Sequence, residues 1–146
     1  MDITVRPYKQ DDAQFIALLE AECFHDPWSQ NAIEEAAEYG TLFILAECEG
    51  KIVGYAGVKL ILDEGYISNV AVTEKMRGNG IGSLIMKELS ALAKEKGLKT
   101  VSLEVRPSNI AAISLYEKFG YKTVGRRKNF YSHPSEDGLI MTLEVD

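Results

Sequence analysis

The chain has 146 residues, a formal net charge of −6, and hydrophobic and charged fractions of 46% and 26%. These values are typical of a single globular domain, which we expect over residues 1–146. The acidic balance argues against direct nucleic-acid binding and is compatible with a cationic acceptor or simply with solubility. No apolar run approaches ~18 residues and the N-terminus does not resemble a signal peptide, so we expect a soluble, cytoplasmic protein without membrane association.

The first half of the chain predicts a strand, two helices and a three-stranded meander. Residues 3–6 alternate in polarity and stop at Pro7, as a short strand does. Asp11 or Asp12 is the candidate N-cap of a first helix, and Ser29 of a second helix that ends near Gly40. Strands at 41–47, 52–62 and 66–72 follow, joined by tight turns.

The second half predicts helices that alternate with strands. Apolar residues recur at helical spacing after residue 80, namely Ile81, Leu84, Ile85, Leu89, Leu92 and Ala93, and Gly97 is the expected stop. A strand at 100–106, a helix at 109–119 and strands at 121–128 and 139–145 complete the chain, with 132–138 joining the last two. The order β-α-α-β-β-β-α-β-α-β-β predicts a mixed α/β sheet with helices on both faces. Strands 66–72 and 100–106 should be parallel through a right-handed crossover.

A glycine-rich turn lies between the third strand of the meander and the next helix. It reads Arg77-Gly78-Asn79-Gly80-Ile81-Gly82-Ser83. Glycines let backbone N–H groups approach a ligand, and a helix N-terminus supplies free donors, so the turn suits a pyrophosphate. It matches neither the P-loop nor the dinucleotide pattern. A plain glycine-rich turn explains the glycines alone equally well.

Three polar residues beyond this turn are candidates for chemistry. Glu104 lies mid-strand on the face shared by Ser102 and Arg106, as a solvated or arginine-paired residue or as a general base. Asn109 and Tyr116 lie two helical turns apart and face the same side. Asn109 fits a helix N-cap equally well, and Tyr116 fits a core residue equally well.

Cysteine and histidine do not form a recognisable site. Cys23 and Cys48 form no C-x-x-C pair and lie among apolar residues, which favours reduced core thiols over a disulfide. The two histidines, His25 and His133, lie far apart in the sequence, so no metal site is predicted.

Residues 77–82, followed by 103–109 and 115–121, resemble the GNAT acetyltransferase superfamily over nearly the whole chain. Within it, residues 27–29, 127–131 and 136–141 resemble a bacterial subgroup that acetylates the N-terminal alanine of a ribosomal protein. One departure is Phe130, where that subgroup commonly has tyrosine. If that hydroxyl contacts the acceptor in the subgroup, the contact is missing here.

The resemblance implies acetyl-CoA as cosubstrate, no metal, and a peptide N-terminus as acceptor. The backbone of Val70, Ala71 and Val72 would contact the acetyl and pantetheine portion, between splayed central strands. Asn109 would touch the pantetheine side. The pyrophosphate would be held by Arg77, Gly78, Asn79, Gly80, Ile81, Gly82 and Ser83.

The reaction needs a base for the amine and an acid for the leaving thiolate. By position, Glu104 is the expected base, directly or through one water, and Tyr116 the expected acid. Backbone N–H groups of residues 70–72 would polarise the thioester oxygen. Neither cysteine lies at a position expected of a covalent nucleophile, so direct transfer is favoured.

The acceptor is expected between segments 24–31 and 126–134. Trp28, Phe130 and Tyr131 would line an aromatic groove or pack under loops, and Asn69 is a further candidate contact. Arg126, Arg127 and Lys128 would pair with an acidic peptide or form an exposed basic patch. The alternatives to N-terminal acetylation are acetylation of lysine side chains or small amines, and a non-catalytic acyl-CoA-binding module. A monomer or weak dimer is expected.

Overall fold

The computed structural model describes residues 2–145; Met1 and Asp146, the two ends of the predicted domain, lie outside the described residues. Residues 2–145 form one seven-stranded mixed sheet, ordered β1-β2-β3-β4-β5-β7-β6, with four α-helices. The strands are β1 (Ile3–Pro7), β2 (Leu42–Cys48), β3 (Lys51–Ile61), β4 (Glu64–Val72), β5 (Thr100–Val105), β6 (Lys122–Tyr131) and β7 (Glu136–Glu144). The helices are α1 (Ala13–Cys23), α2 (Gln30–Glu38), α3 (Ile81–Glu95) and α4 (Ile110–Lys118). The predicted order of elements and the mixed α/β fold are confirmed. None of the helices in this range is long and apolar enough to cross a membrane.

Strand β2 shows how the sheet buries both of its faces. Phe43 and Leu45 belong to the core under α1 and α2, whereas Ile44 and Ala46 belong to the core under α3. Successive side chains of a strand point to opposite faces, so one continuous apolar run serves two cores.

Helix α3 buries nearly the stripe that its spacing predicts. Ile81, Ile85 and Leu89 are buried, but Leu84 is 39% exposed and Met86 is fully buried in its place. The buried arc is centred on Ile85 and Leu89, and Met86 lies at its edge while Leu84 lies outside it. The prediction for Leu84 was therefore wrong.

Two of the three predicted helix caps are confirmed. Ser29 Oγ accepts the N–H of Ala32 at 3.1 Å, and Asn109 Oδ1 accepts that of Ala112 at 3.2 Å. The cap of α1 expected from Asp11 or Asp12 is absent. Asp12 lies at the third position of the preceding 3₁₀ turn at Gln10–Asp12 and caps that turn. The Asp12 carboxylate accepts the Lys9 N–H at 2.7 Å and pairs with both terminal nitrogens of Arg6 at 2.8 and 2.9 Å.

Strands β4 and β5 are parallel, as the crossover predicts, but they pair only over Glu64–Tyr66 and Thr100–Ser102. Just beyond this point β4 carries an extra residue: Gly57 is opposite Asn69 and Val58 is opposite Ile67, which leaves Ser68 unpaired. Such a bulge bends its strand. Past Tyr66 the two strands separate, as expected, and their C-terminal halves border a cleft.

The last hairpin is longer than predicted. Strand β6 extends to Tyr131 and β7 begins at Glu136, so Phe130 and Tyr131 lie at the end of a strand rather than in a long connection. The sequence of the connection is polar, which suggested a loop. Its Asp137 carboxylate accepts the Asn129 N–H at 2.9 Å and thereby joins the two strand ends.

Candidate active site

Two adjoining cavities occupy the cleft between β4 and β5. The glycine-loop cavity, about 480 Å³, lies among the end of β4, residues 77–82 and α4. The Glu104 cavity, about 620 Å³, lies among β4, β5, residues 23–28 and the end of β6. Both volumes are typical of small-molecule sites. The residues that line both cavities are Cys23, Phe24, Val70, Asn109, Ala112 and Tyr116, so the two form one continuous cleft.

Gly78 and Gly80 form the open part of the glycine loop. Both adopt left-handed backbone angles, with φ of 81° and 78°. A Cβ added at either position would meet no atom within 4 Å. Gly80 is also the N-cap of α3 and provides no side chain to bind the first N–H groups of that helix. These groups are therefore available to an anion in the cavity.

The other residues of the loop support its shape. A Cβ on Gly82 would lie 3.0 Å from Leu115, so this glycine allows α3 and α4 to pack closely. Asn79 Nδ2 donates to the carbonyls of Met76 and Arg77 at 3.0 and 3.3 Å. Asn79 and Ser83 do not line the cavity, whereas Arg77, Gly78, Gly80, Ile81 and Gly82 do.

Arg77 lines the glycine-loop cavity and contacts Cys23, which lines both cavities. Its Nε donates to the Val72 carbonyl at 3.0 Å, and a terminal nitrogen lies 3.5 Å from Cys23 Sγ. Burial raises the pKa of the Cys23 thiol, so the thiol is protonated at neutral pH. The sequence did not indicate that Cys23 lies in the cleft, because its place at the end of α1 resembles any core position.

The outer edge of β4 presents backbone groups to the cleft. Thr73 donates its N–H to Val53 of β3 at 2.8 Å. Because backbone groups alternate along an antiparallel strand, Ala71 also directs its N–H toward β3, and Val70 and Val72 direct theirs outward. All three residues line the glycine-loop cavity, but only Val70 and Val72 can offer an N–H to a ligand there.

Glu104 lines the larger cavity with a side chain that is 4% exposed. Its Oε1 lies 3.0 Å from Arg127 Nε, and its Oε2 accepts a hydrogen bond from the Tyr66 hydroxyl. Glu104 is thus arginine-paired and also lies in the cleft. Each carboxylate oxygen has two lone pairs, so it can still accept a further donor. Burial, and then the hydrogen bond to Glu104, raise the pKa of Tyr66.

Tyr116 is both a core residue and a cavity residue. It is 8% exposed, and its ring packs against that of Tyr121 with centroids 6.0 Å apart. Burial raises the pKa of Tyr116 to about 12, so its hydroxyl is protonated at neutral pH. Asn109 likewise caps α4 and lines both cavities.

The four predicted acceptor contacts lie together in the Glu104 cavity, which is lined by Trp28, Asn69, Phe130 and Tyr131. The Tyr131 ring lies 4.5 Å from the Arg106 guanidinium, and Phe130 meets Tyr131 edge-on at 4.9 Å. Burial raises the pKa of Tyr131 to about 12.

The two segments expected to flank the acceptor touch each other. His25, which lines the Glu104 cavity, stacks on His133 with ring centroids 4.1 Å apart. The neighbouring arginines are not a free basic patch, because Arg126 pairs with Asp137 at 3.0 Å and Arg127 pairs with Glu104.

Sequence reasoning missed Glu20, a fully buried carboxylate on α1. Its oxygens accept from the Trp28 N–H and Asn69 Nδ2, each at 3.0 Å, and from the Tyr55 hydroxyl. The available signal was its spacing of four residues from buried Ile16. Two apolar residues of the same helix, Phe15 and Leu18, are 47% and 67% exposed.

Comparison with known proteins identifies the class. The model of the acetyltransferase (GNAT) family matches residues 11–121. The chain therefore belongs to this family, and the expectation of an N-acetyltransferase with the family's fold is confirmed.

Two similar proteins and one similar crystal structure have names that state a specific activity. The chain is 37% identical over 120 residues to the ribosomal protein bS18-alanine N-acetyltransferase of Haemophilus influenzae, covering 79% of this chain and 80% of that protein. It is 34% identical over 126 residues to an N-alpha-acetyltransferase of Sulfolobus acidocaldarius, covering 77% and 74%. The crystal structure of the ribosomal-protein-S18-alanine N-acetyltransferase from Escherichia coli superposes with a TM-score of 0.92 at 28% identity, covering 99% of this chain and 95% of that one.

Proposed function

We propose that this protein transfers the acetyl group of acetyl-CoA to the N-terminal α-amino group of a protein. The proposed acceptor is the N-terminal alanine of a small-subunit ribosomal protein. The observation that carries the proposal is the meeting of the two cavities at Tyr116: an anion site opens on one side and a shielded carboxylate, Glu104, lies on the other. The relatives named for α-amino acetylation support the choice of acceptor.

The glycine-loop cavity fits acetyl-CoA. The open space above Gly78 and Gly80 and the uncapped start of α3 suit its pyrophosphate. The outward N–H groups of Val70 and Val72 suit the carbonyls of the pantetheine arm, which would run between β4 and β5. Bound in this way, acetyl-CoA supplies a thioester whose carbonyl carbon a neutral amine can attack.

Glu104 accepts the proton that the acceptor ammonium must lose, directly or through one water. An N-terminal α-amino group has a pKa of about 7.7–8.0, so a modest base suffices at neutral pH. The N–H groups of Val70 and Val72 donate to the carbonyl oxygen as negative charge develops on it.

Tyr116 faces the departing sulfur in this arrangement. Its pKa of about 12 lies well above the ~8.5 of a thiol, so full proton transfer from the phenol to a thiolate is uphill. We therefore assign Tyr116 a hydrogen bond that stabilises the sulfur as it leaves. The second proton of the attacking nitrogen passes to the thiolate as the C–S bond breaks, so CoA departs as the thiol. The raised pKa of Cys23 disfavours a thiolate nucleophile, which supports direct transfer to the amine.

The proposal is tested by incubating the protein and acetyl-CoA with three peptides: one beginning with alanine, one beginning with methionine, and one with a blocked N-terminus and an internal lysine. Mass spectrometry locates the acetyl group, and initial rates give kcat/KM. We expect the alanine peptide to react best and the blocked peptide to stay at background. Reaction only at lysines or small amines would contradict the proposal, and acetyl-CoA binding without transfer to any amine would indicate a binding module.

A further inference from the structure

Glu20 lies directly behind one wall of the Glu104 cavity. It is fully buried and does not line the cavity itself, but two of its three hydrogen-bond partners, Trp28 and Asn69, do. The third partner, Tyr55, is 1% exposed and does not line the cavity. Glu20 thus joins α1, the segment after α1, and strands β3 and β4 at one point.

The carboxylate determines which way the Asn69 amide points. The two ends of an asparagine amide are assigned from their hydrogen bonds, and a carboxylate that receives three donors can only accept. The Asn69 atom 3.0 Å from Glu20 Oε2 is therefore the NH₂ group. Its carbonyl oxygen points away from Glu20 and has no hydrogen-bond partner in residues 2–145. This oxygen is also not fully buried. Because Asn69 lines the Glu104 cavity, this oxygen opens into it.

We propose that Glu20 is a positioning residue that holds Asn69 with its oxygen directed at the acceptor, where it accepts an N–H of the acceptor's α-amino group. A protonated amine offers only N–H donors, and the lone pair of a neutral amine must be directed at the thioester carbon, so an inward NH₂ group would oppose its binding. Through the Trp28 N–H, the same carboxylate fixes the segment after α1, which also lines the cavity. This inference rests on the proposed function for the identity of the acceptor.

The test is Glu20→Gln. A glutamine must donate as well as accept, so its NH₂ group toward Asn69 turns the Asn69 oxygen away from the cavity. We expect the KM for the alanine peptide to rise roughly 5–100-fold, the effect of replacing an accepting group by an opposed donor. The KM for acetyl-CoA should stay within about twofold of wild type, because Glu20 does not reach the glycine-loop cavity.

Tyr55→Phe is the matched control. It removes a donor from the same buried carboxylate, together with a contact between the Tyr55 hydroxyl and the Asn69 side chain, and should lower thermal stability, but it leaves the hydrogen bond from Asn69 to Glu20 in place. Its KM for the peptide should therefore be close to wild type. If Glu20→Gln and Tyr55→Phe lower stability alike and neither changes the peptide KM, Glu20 is only structural and the inference is wrong.

A double-mutant cycle with Asn69→Ala tests whether Glu20 acts on peptide binding through Asn69. Once the Asn69 side chain is absent, Glu20→Gln should raise the peptide KM little further, whereas additive effects would show that Glu20 acts without Asn69. Calorimetric binding of the alanine peptide in the presence of CoA gives the same comparison without turnover. Peptide that binds but is not acetylated refutes the proposed function alone, and acetylation with unaltered binding in Glu20→Gln refutes this inference alone. A wild-type protein that does not bind the peptide overturns both.

Discussion

The function of the glycine loop can be tested with two glycines that share a backbone conformation but not a location. Gly80 precedes α3 with φ of 78°, and Gly97 follows α3 with φ of 68°. A Cβ added at either would meet no atom within 4 Å. Gly80→Ala and Gly97→Ala therefore impose similar strain in similarly open space, and only Gly80 lines the glycine-loop cavity.

The two variants should lose similar stability but differ in their KM for acetyl-CoA. A left-handed conformation costs a non-glycine residue about 1–2 kcal/mol, and each kcal/mol lowers the Tm of a domain of this size by about 2–4 °C. Both variants should show this loss. The methyl group on Gly80 also occupies the space assigned to the pyrophosphate, and loss of one charge-assisted hydrogen bond costs about 1.5–3 kcal/mol. Gly80→Ala should therefore raise the KM for acetyl-CoA roughly 10–100-fold, and Gly97→Ala should leave it unchanged.

The assay measures initial rates over a range of acetyl-CoA concentrations at saturating peptide, with Tm by differential scanning fluorimetry and CoA affinity by calorimetry. Equal KM values in the two variants, with both Tm values lowered, would show that the loop does not bind the pyrophosphate. A rise in KM for both would show that strain in α3, rather than contact with the ligand, changes the site.

Three further substitutions test other parts of the mechanism and the fold. Glu104→Gln should lower kcat by roughly 10²–10⁴, the usual contribution of a general base, and an unchanged rate across pH would remove Glu104 from the mechanism. Cys23→Ala should keep kcat within about twofold of wild type under direct transfer, and a loss of ~100-fold or more would indicate a covalent role. The Arg6 guanidinium lowers the pKa of Asp12, so the pair stabilises the fold above the unfolded value of ~3.9, and this contribution is lost as the pH falls below it. Asp12→Asn should lower the free energy of unfolding at pH 7 by about 1.5–3 kcal/mol and weaken its decline below pH ~4; an identical acid profile in urea titrations would contradict the assignment.

Local features were predictable because their causes lie within a few residues. Ser29 and Asn109 cap their helices by binding an N–H three positions ahead, and a sequence displays that spacing directly. Asp12 shows the limit of such reasoning, since its carboxylate binds the Lys9 N–H and Arg6, on the preceding strand, and does not cap α1.

Parts of the candidate site were predictable for a different reason. The alternation of β5 placed Glu104 on the open face, and two helical turns placed Asn109 and Tyr116 on one side of α4; all three line the Glu104 cavity. Their proposed roles came from the resemblance to a family. The partners of Glu104 were not predictable, since Tyr66 comes from the neighbouring strand and Arg127 from β6.

The sequence alone determined the order of elements, the strand faces, and a loop whose glycines leave space at a helix start, because periodicity and backbone freedom are local properties. Only the tertiary structure decided that β4 leaves β5 after Tyr66, that Val70 and Val72 rather than Ala71 offer their N–H groups, and that Glu20 is buried behind Asn69. These depend on strand register, a bulge at Ser68, and contacts between residues up to 49 positions apart, as in the bond from Asn69 to Glu20. No local pattern in the chain records such contacts, because they form only when the sheet and its helices pack together.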